Sequence, residues 1–372
     1  MHKNISQDFQ SKIYFPQLDS IRGMSFLAIF LYHAFHISNT GYLFADFLSY
    51  LFNNLPLAID VFFILSSFLL TYLALSEYKK RNNFSFKHYF TRRILRIWPL
   101  YFFIMVLAFL VFPIIASKFH TSLTLPNSLY YVFFIANLYT IDHVFFLKFL
   151  WTISVEEQFY LFWGFTLKFL HKKLGIIIAA LFLSSISSST YAIITGASNY
   201  YSTINYLFDF ASGALAALYV FSDSRIIMWI RNLSRAGTYA FYLYPFCHFI
   251  LFYFLDANSK GILNSCAGLL NRYLFIIYIS LFIIEQMKNN SRTKILAQNK
   301  FLVLTGKLSY GLYCFHGITI TFINLLFQHY NLNIKAWLLV PIYFIVNYLI
   351  AGVSYKYLEL PFLKLKRRWR SI

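Results

Sequence analysis

The chain has 372 residues, of which 59% are hydrophobic, 22% aromatic and only 12% charged. Soluble proteins carry roughly 25% charged residues, so the composition excludes a water-soluble globular enzyme, and no polar stretch between apolar runs is long enough to fold alone. The net charge of +19 would suit nucleic acid, but it alternates with the apolar runs instead of forming one stripe, which argues against that partner.

Ten apolar runs approach the ~20 residues a spanning helix needs: 18–38, 55–76, 97–116, 150–170, 174–194, 204–222, 237–255, 264–286, 308–328 and 337–359. A shorter segment, 127–141, is read as re-entrant or interfacial. Of 32 Lys and Arg residues, 26 fall in the termini and in every second connection (1–22, 77–96, 168–173, 223–236, 287–307 and 363–372). The alternate connections hold only Lys118, Lys148, Lys260 and Lys335. The positive-inside bias places both termini in the cytoplasm and explains the basic excess as topology and contact with anionic membrane lipid. The expected architecture is an all-α polytopic membrane protein of about ten transmembrane helices. It forms a single domain over 1–372, with a cytoplasmic tail at 1–17 and a basic cytoplasmic tail at 363–372. The first sixteen residues are polar and show no cleavage-site pattern, so the first span is expected to anchor the chain.

The first span carries Asp19, Arg22 and His33. Ionisable groups are expensive in lipid and mark functional sites by default. Arg22 and His33 are three turns plus about 20° apart, so they share one helix face, ~16 Å apart along the axis. Asp19, three residues before Arg22, can pair with it. Arg22 alone fits an arginine that snorkels at a span end. His33, among Phe30, Leu31, Tyr32 and Phe35, needs an internal partner.

In the second span Asp60 is a lone carboxylate that calls for a cationic or hydroxyl partner. Lys79, Lys80 and Arg81 read as solvated charge, whereas Arg92, Arg93 and Arg96 run into the third span. Arg93 and Arg96 share a face, and the planar paired donors of arginine suit phosphate. Glu156 and Glu157 of the fourth span lie about 100° apart on a helix, so they cannot face the same point; Gln158 and Tyr160 beside them indicate a polar pocket. In the ninth span Ser309 and Tyr310 precede Tyr313 and His316, an i,i+3 pair that reads equally as a cavity wall or as interhelical hydrogen bonding. Glu359, before Pro361, reads as a tie to Lys356 or an arginine. His248 reads as a satisfied helix histidine; His88, His120 and His143 lack comparable context. Cys247, Cys266 and Cys314 lack metal-ligand spacing and read as small buried hydrophobes, so no metal is expected. The 45 Phe and 30 Tyr read mainly as lipid-facing and interfacial surface.

Several segments form a recognisable series. LDSIRG followed by nine residues and His33 resembles the opening of the bacterial integral-membrane acyltransferase family 3. VFFILSSFLL (61–70), HYFTRRILRIWPLY (88–101), FLWTISVEEQFYLFW (149–163), GKLSYGLYCFH (306–316) and SYKYLELP (354–361) are similar, in order, to that family's further motifs. Ser66 and Tyr101 fall inside these segments and count with Asp19, Asp60, Tyr160, Ser309, Tyr310, Tyr313, His316 and Glu359 as supporting residues. Ala58 and Ser67 stand where the family usually has glycine. The resemblance is expected to be to members without an appended periplasmic esterase-like domain.

The resemblance implies an inner-membrane O-acyltransferase with no permanently bound cofactor. It would move an acyl group, acetyl first among the candidates, from cytoplasmic acyl-coenzyme A to a hydroxyl of a cell-envelope carbohydrate such as O-antigen, exopolysaccharide or peptidoglycan. Arg22, Arg93 and Arg96, with Arg92 beside them, would then grip the phosphates of coenzyme A. The ~16 Å from Arg22 to His33 suits the reach of a pantetheine arm. His33 would act as general base or as acyl-carrying nucleophile, with Glu156 or Glu157 orienting the imidazole or the acceptor. A transporter or flippase for an anionic or lipid-linked sugar is the alternative, disfavoured by the lack of evident repeats.

Overall fold

Backbone groups in lipid must satisfy one another, and a helix does this within a single segment. All ten expected spans are helices: α1 (Pro16–Ala34), α2 (Ala58–Arg81), α3 (Phe86–Val106), α4 (Leu150–Phe169), α5 (Leu174–Thr195), α6 (Leu207–Ser222), α7 (Arg235–Asn258), α8 (Ile262–Lys288), α9 (Lys300–His329) and α10 (Ala336–Ser354). The computed structural model describes residues 14–35, 37, 41–118, 124–139, 145–222, 224–288, 293–332 and 334–366. Most of the expected tails, with His120 and His143, lies outside them. Eight helical stretches among the described residues are long and apolar enough to cross a membrane. The other two expected spans, α1 and α4, have their apolar runs broken by Asp19, Arg22, Glu156 and Glu157.

Local chemistry sets the helix ends. Pro16 begins α1 with its φ already helical. Ser85, Ser234 and Asn299 cap α3, α7 and α9, each accepting a backbone N–H. Asn82 ends α2 in the left-handed region at φ 55°. Helix α3 continues through a π-turn at Leu107–Val111 into Phe112–Lys118, and α10 through a second π-turn at Tyr355–Glu359 into Leu360–Lys366.

The largest interfaces join α1 to α9 and α2 to α6. A Cβ on Gly306 would collide with the Asp19 carbonyl, and one on Gly23 with the Leu302 carbonyl, so α1 and α9 touch backbone to backbone. Gly213 does the same for α6 against the Ile64 carbonyl of α2. Ser67, where glycine was expected, donates its hydroxyl to the Phe210 carbonyl across that interface.

Cross-links define two ends of the bundle. At the basic end, Ser20 donates to the Leu296 carbonyl, Lys168 to the Phe84 carbonyl, and Tyr78 to the Leu167 carbonyl. At the opposite end, Asn137 donates to the Tyr201 carbonyl and Asn271 to Asn54. The expected short segment at 127–141 is a helical turn, Leu129–Val132, followed by a 3₁₀ turn, Ala136–Leu138; residues 140 and 141 lie outside the described set. Gln158 holds it by donating to the Phe134 carbonyl and Asn137 Oδ1, both at 2.8 Å. One cysteine reading is corrected: Cys247 and Cys266 are exposed on outward helix faces, and only Cys314 is buried.

Candidate active site

A cavity of about 80 Å³ lies between α1, α2, α3, α4 and α9, walled by Arg22, Ser66, Arg93, Arg96, Glu156, Tyr160, Ser309, Tyr310 and Tyr313. At the basic end lies a wider depression of about 340 Å³ that shares Arg22, Leu69, Arg96 and Tyr310 with it and adds Tyr14, Asp19, Lys307 and Glu359. The pair forms a mouth and a chamber, with arginines at their junction.

The expected spacing rules hold here. Asp19 pairs with Arg22 at 3.3 Å, fixing that side chain at the junction. Arg93 and Arg96 both wall the chamber. The Arg93 guanidinium lies 6.0 Å from the Tyr89 ring centroid and 5.7 Å from that of Tyr160, and its Nε has no hydrogen-bond partner among the described residues. Arg96 makes no ion pair among them, which leaves its donors for a ligand. Arg92 departs from the phosphate-binding expectation. It pairs with Glu77 at 3.7 Å and walls neither space, because it is one residue, about 100°, off the Arg93 direction.

The two glutamates divide as helix geometry requires. Glu156 faces the chamber and accepts the Ser66 hydroxyl at 2.6 Å, while Tyr160 donates to Ser66 at 3.1 Å. Glu157 turns toward Trp98 Nε1, at 3.4 Å. Among the described residues neither hydrogen-bonds His33, so of the two expected roles the packing gives neither glutamate the direct orienting of the imidazole, and orienting the acceptor hydroxyl is the one left for them. Glu156 sits among the arginines instead. Glu359 likewise has no ion pair to Lys356 or an arginine among the described residues; the π-turn buries it at the mouth with Oε1 unpartnered. Tyr14, ahead of the first span, has its phenol held above the usual range by partial burial and by Asp19. Tyr310 donates to the Ile97 carbonyl at 2.8 Å and Ser309 to the Gly306 carbonyl at 2.9 Å. Tyr101 lies outside both spaces, donating to the Tyr131 carbonyl at 2.8 Å.

His33 does not wall the chamber. Its ring packs against Phe149, 4.5 Å between centroids, and against His316, 5.2 Å away. Gly317 makes this possible, since a Cβ there would meet the Phe149 ring. His316 is fully buried, and its Nδ1 bonds the Tyr313 carbonyl. A carbonyl only accepts, so that bond assigns the proton to Nδ1 and leaves Nε2 a bare acceptor. Among the described residues, His316 Nε2 and His33 Nδ1 are buried without a hydrogen bond of good geometry, and the backbone of Ile29 is the polar group near His33. Tyr313, which walls the chamber, bonds Thr152 at 3.0 Å and packs on Phe149. One layer (Tyr313, Thr152, Phe149) therefore stands between the arginine chamber and the paired imidazoles.

The sequence model described as an acyltransferase domain, that of acyltransferase family 3, matches residues 15–356. This chain belongs to acyltransferase family 3. The O-acetyltransferase OatA of Staphylococcus aureus (strain NCTC 8325 / PS 47) is 26% identical over 374 residues, an overlap covering 94% of this chain and 57% of the relative. The peptidoglycan O-acetyltransferase OatA of Listeria monocytogenes is 27% identical over 381 residues, covering 95% of this chain and 56% of the relative. The chain thus spans little more than half the length of these relatives. No solved structure matches it. With its apolar helices, this family member is a multi-pass membrane protein, and the resemblance drawn from the six motifs holds.

The candidate site also has members that the sequence reading did not single out. Thr152 and Phe149 form the layer below the histidines, and Lys307 lies at the mouth. Lys307 stood inside the quoted GKLSYGLYCFH motif, so a signal existed. Asp60 has the cationic partner expected of it, Arg272 on α8 at 3.2 Å, joined by Asp209 at 2.6 Å, but this group lies outside the arginine chamber.

Proposed function

We propose that the protein is an inner-membrane O-acyltransferase that takes an acetyl group from cytoplasmic acetyl-coenzyme A and delivers it to a hydroxyl of a cell-envelope glycan. The observation that supports this best is the mouth at the basic end narrowing past Arg22, Arg93 and Arg96 toward His33. Three guanidiniums, two of them (Arg93 and Arg96) without any ion pair among the described residues, suit the phosphates of a nucleotide donor. The relatives' names, O-acetyltransferase and peptidoglycan O-acetyltransferase, support the acyl group and the acceptor class.

In this reading the pantetheine arm extends up the chamber, and the layer of Tyr313, Thr152 and Phe149 parts to admit the thioester. A neutral His33 takes the proton of the acceptor hydroxyl while that oxygen bonds to the thioester carbonyl carbon. The C–S bond then breaks, and the departing thiolate takes up the proton. A route in which His33 attacks first and carries the acyl group as an acyl-imidazole uses the same residues; acid quenching followed by peptide mass spectrometry distinguishes them by an acetylated His33.

Purified protein given labelled acetyl-coenzyme A and peptidoglycan strands should transfer label to glycan. His33→Ala should remove transfer while leaving the thermal midpoint near wild type. A folded His33→Ala protein with full activity would overturn the assignment.

A further inference from the structure

We infer that the end of the bundle opposite the arginine mouth carries a second, separate binding site, built around Arg272, for a hydroxyl-rich ligand of the glycan class. The inference rests on the reading of the protein as one that modifies an envelope sugar. Arg272 donates to Asp60 and Asp209, to the Asn205 carbonyl at 3.3 Å and to Asn205 Oδ1 at 3.1 Å, and lies over the Tyr206 ring at 4.8 Å. With two carboxylates already on it, this guanidinium is no anion grip, unlike the arginines of the chamber.

The cluster opens on two adjoining depressions. One of about 180 Å³ is walled by Asn53, Asn54, Asp60 and Tyr200, and the other, about 410 Å³, shares Asn205 and Arg272 with it. Asparagine offers donors and acceptors together, which is what a ring of hydroxyls needs. Tyr200, 43% exposed, presents a flat apolar face. The wall is also held in place before any ligand arrives. Asn54 donates to the Tyr50 carbonyl at 2.9 Å and accepts from Asn271 at 3.0 Å, and Asn271 in turn bonds His248 at 2.7 Å. Such pre-organisation lowers the ordering cost of binding.

Position links this site to the reaction. Ile59 walls both the smaller depression and the arginine chamber. Tyr206 packs at 5.0 Å on Phe63, another chamber residue. A glycan held here lies next to the arginine chamber, with Ile59 as the wall common to both spaces.

The test is equilibrium binding without any acyl donor. Protein in lipid nanodiscs is titrated with chitotetraose and with soluble peptidoglycan strands by calorimetry. Wild type should bind at least one of them saturably, and Asn53→Ala and Tyr200→Ala should each weaken it about tenfold, the effect of losing one hydrogen bond or stacking surface. Both residues lie on the rim, and an unchanged thermal midpoint verifies that the variants fold. Absence of saturable binding by wild type, or equal binding by both variants, overturns the inference. Intact, mutation-sensitive glycan binding together with failed acetyl transfer would support this site and count against the proposed function alone.

Discussion

Arg96 walls both the mouth and the chamber, and Arg92, four residues earlier, walls neither. That contrast makes the two arginines a controlled pair. Arg96→Ala should raise the KM for acetyl-coenzyme A about ten- to a hundredfold, since a hydrogen bond to a charged group contributes roughly 1.5–3 kcal/mol. Arg92→Ala should leave that KM unchanged and instead lower the thermal midpoint, because Glu77, 1% exposed, loses its cation. Steady-state kinetics and a thermal melt on the same preparations check both. For the histidines, His316→Ala should reduce kcat by about a hundredfold or more, the contribution typical of a positioned acid–base group, with donor KM little changed; the ratio of the two parameters is the readout. The Asp19–Arg22 pair and the shared face of Arg93 and Arg96 were legible in the sequence because they are spacings on one helix. The meeting of His33 with His316 was not, since no spacing along one helix tells which helix lies opposite. Arg272, inside an expected span, was not singled out from the sequence, because its carboxylate partners sit on two other spans that only packing brings together.

At the scale of elements, the close approach of α1 and α9 sets where Arg22 stands relative to Tyr310, Tyr313 and His316. Gly306→Val would drive a side chain into the Asp19 carbonyl and should destabilise the protein by about 1–3 kcal/mol or more, the usual range for overpacking. Gly352→Ala on α10 meets open space and should be neutral to slightly stabilising, as alanine is the better helix former. Differential scanning fluorimetry in detergent compares the two directly. Span positions were readable from apolar runs, but span lengths were not. α3 begins at Phe86 rather than 97, and α9 at Lys300 rather than 308. In each case a basic or polar turn continues the helix beyond its apolar run, and in α3 that extension carries Arg93 and Arg96. A criterion based on apolar composition stops where the chemistry begins.

For the whole molecule, the separation of basic and opposite ends is a statement about sidedness that labelling tests. With Cys247 and Cys266 replaced by serine, a membrane-impermeant maleimide applied to intact cells should label Ala197→Cys, at the opposite end, and spare Arg81→Cys until the cells are permeabilised. The reverse pattern would put the arginine mouth on the outer face, away from any cytoplasmic donor. The layer of Tyr313, Thr152 and Phe149, with Ile59 as a common wall between the two recesses, has a bioenergetic consequence. Water that entered from either face would meet these packed side chains before it met water from the other, so the resting protein is expected to keep its insulation although recesses open at both ends. Vesicles loaded with it should therefore hold an imposed proton gradient as long as empty ones, and a cell can carry many copies without discharging the potential that drives its other membrane work.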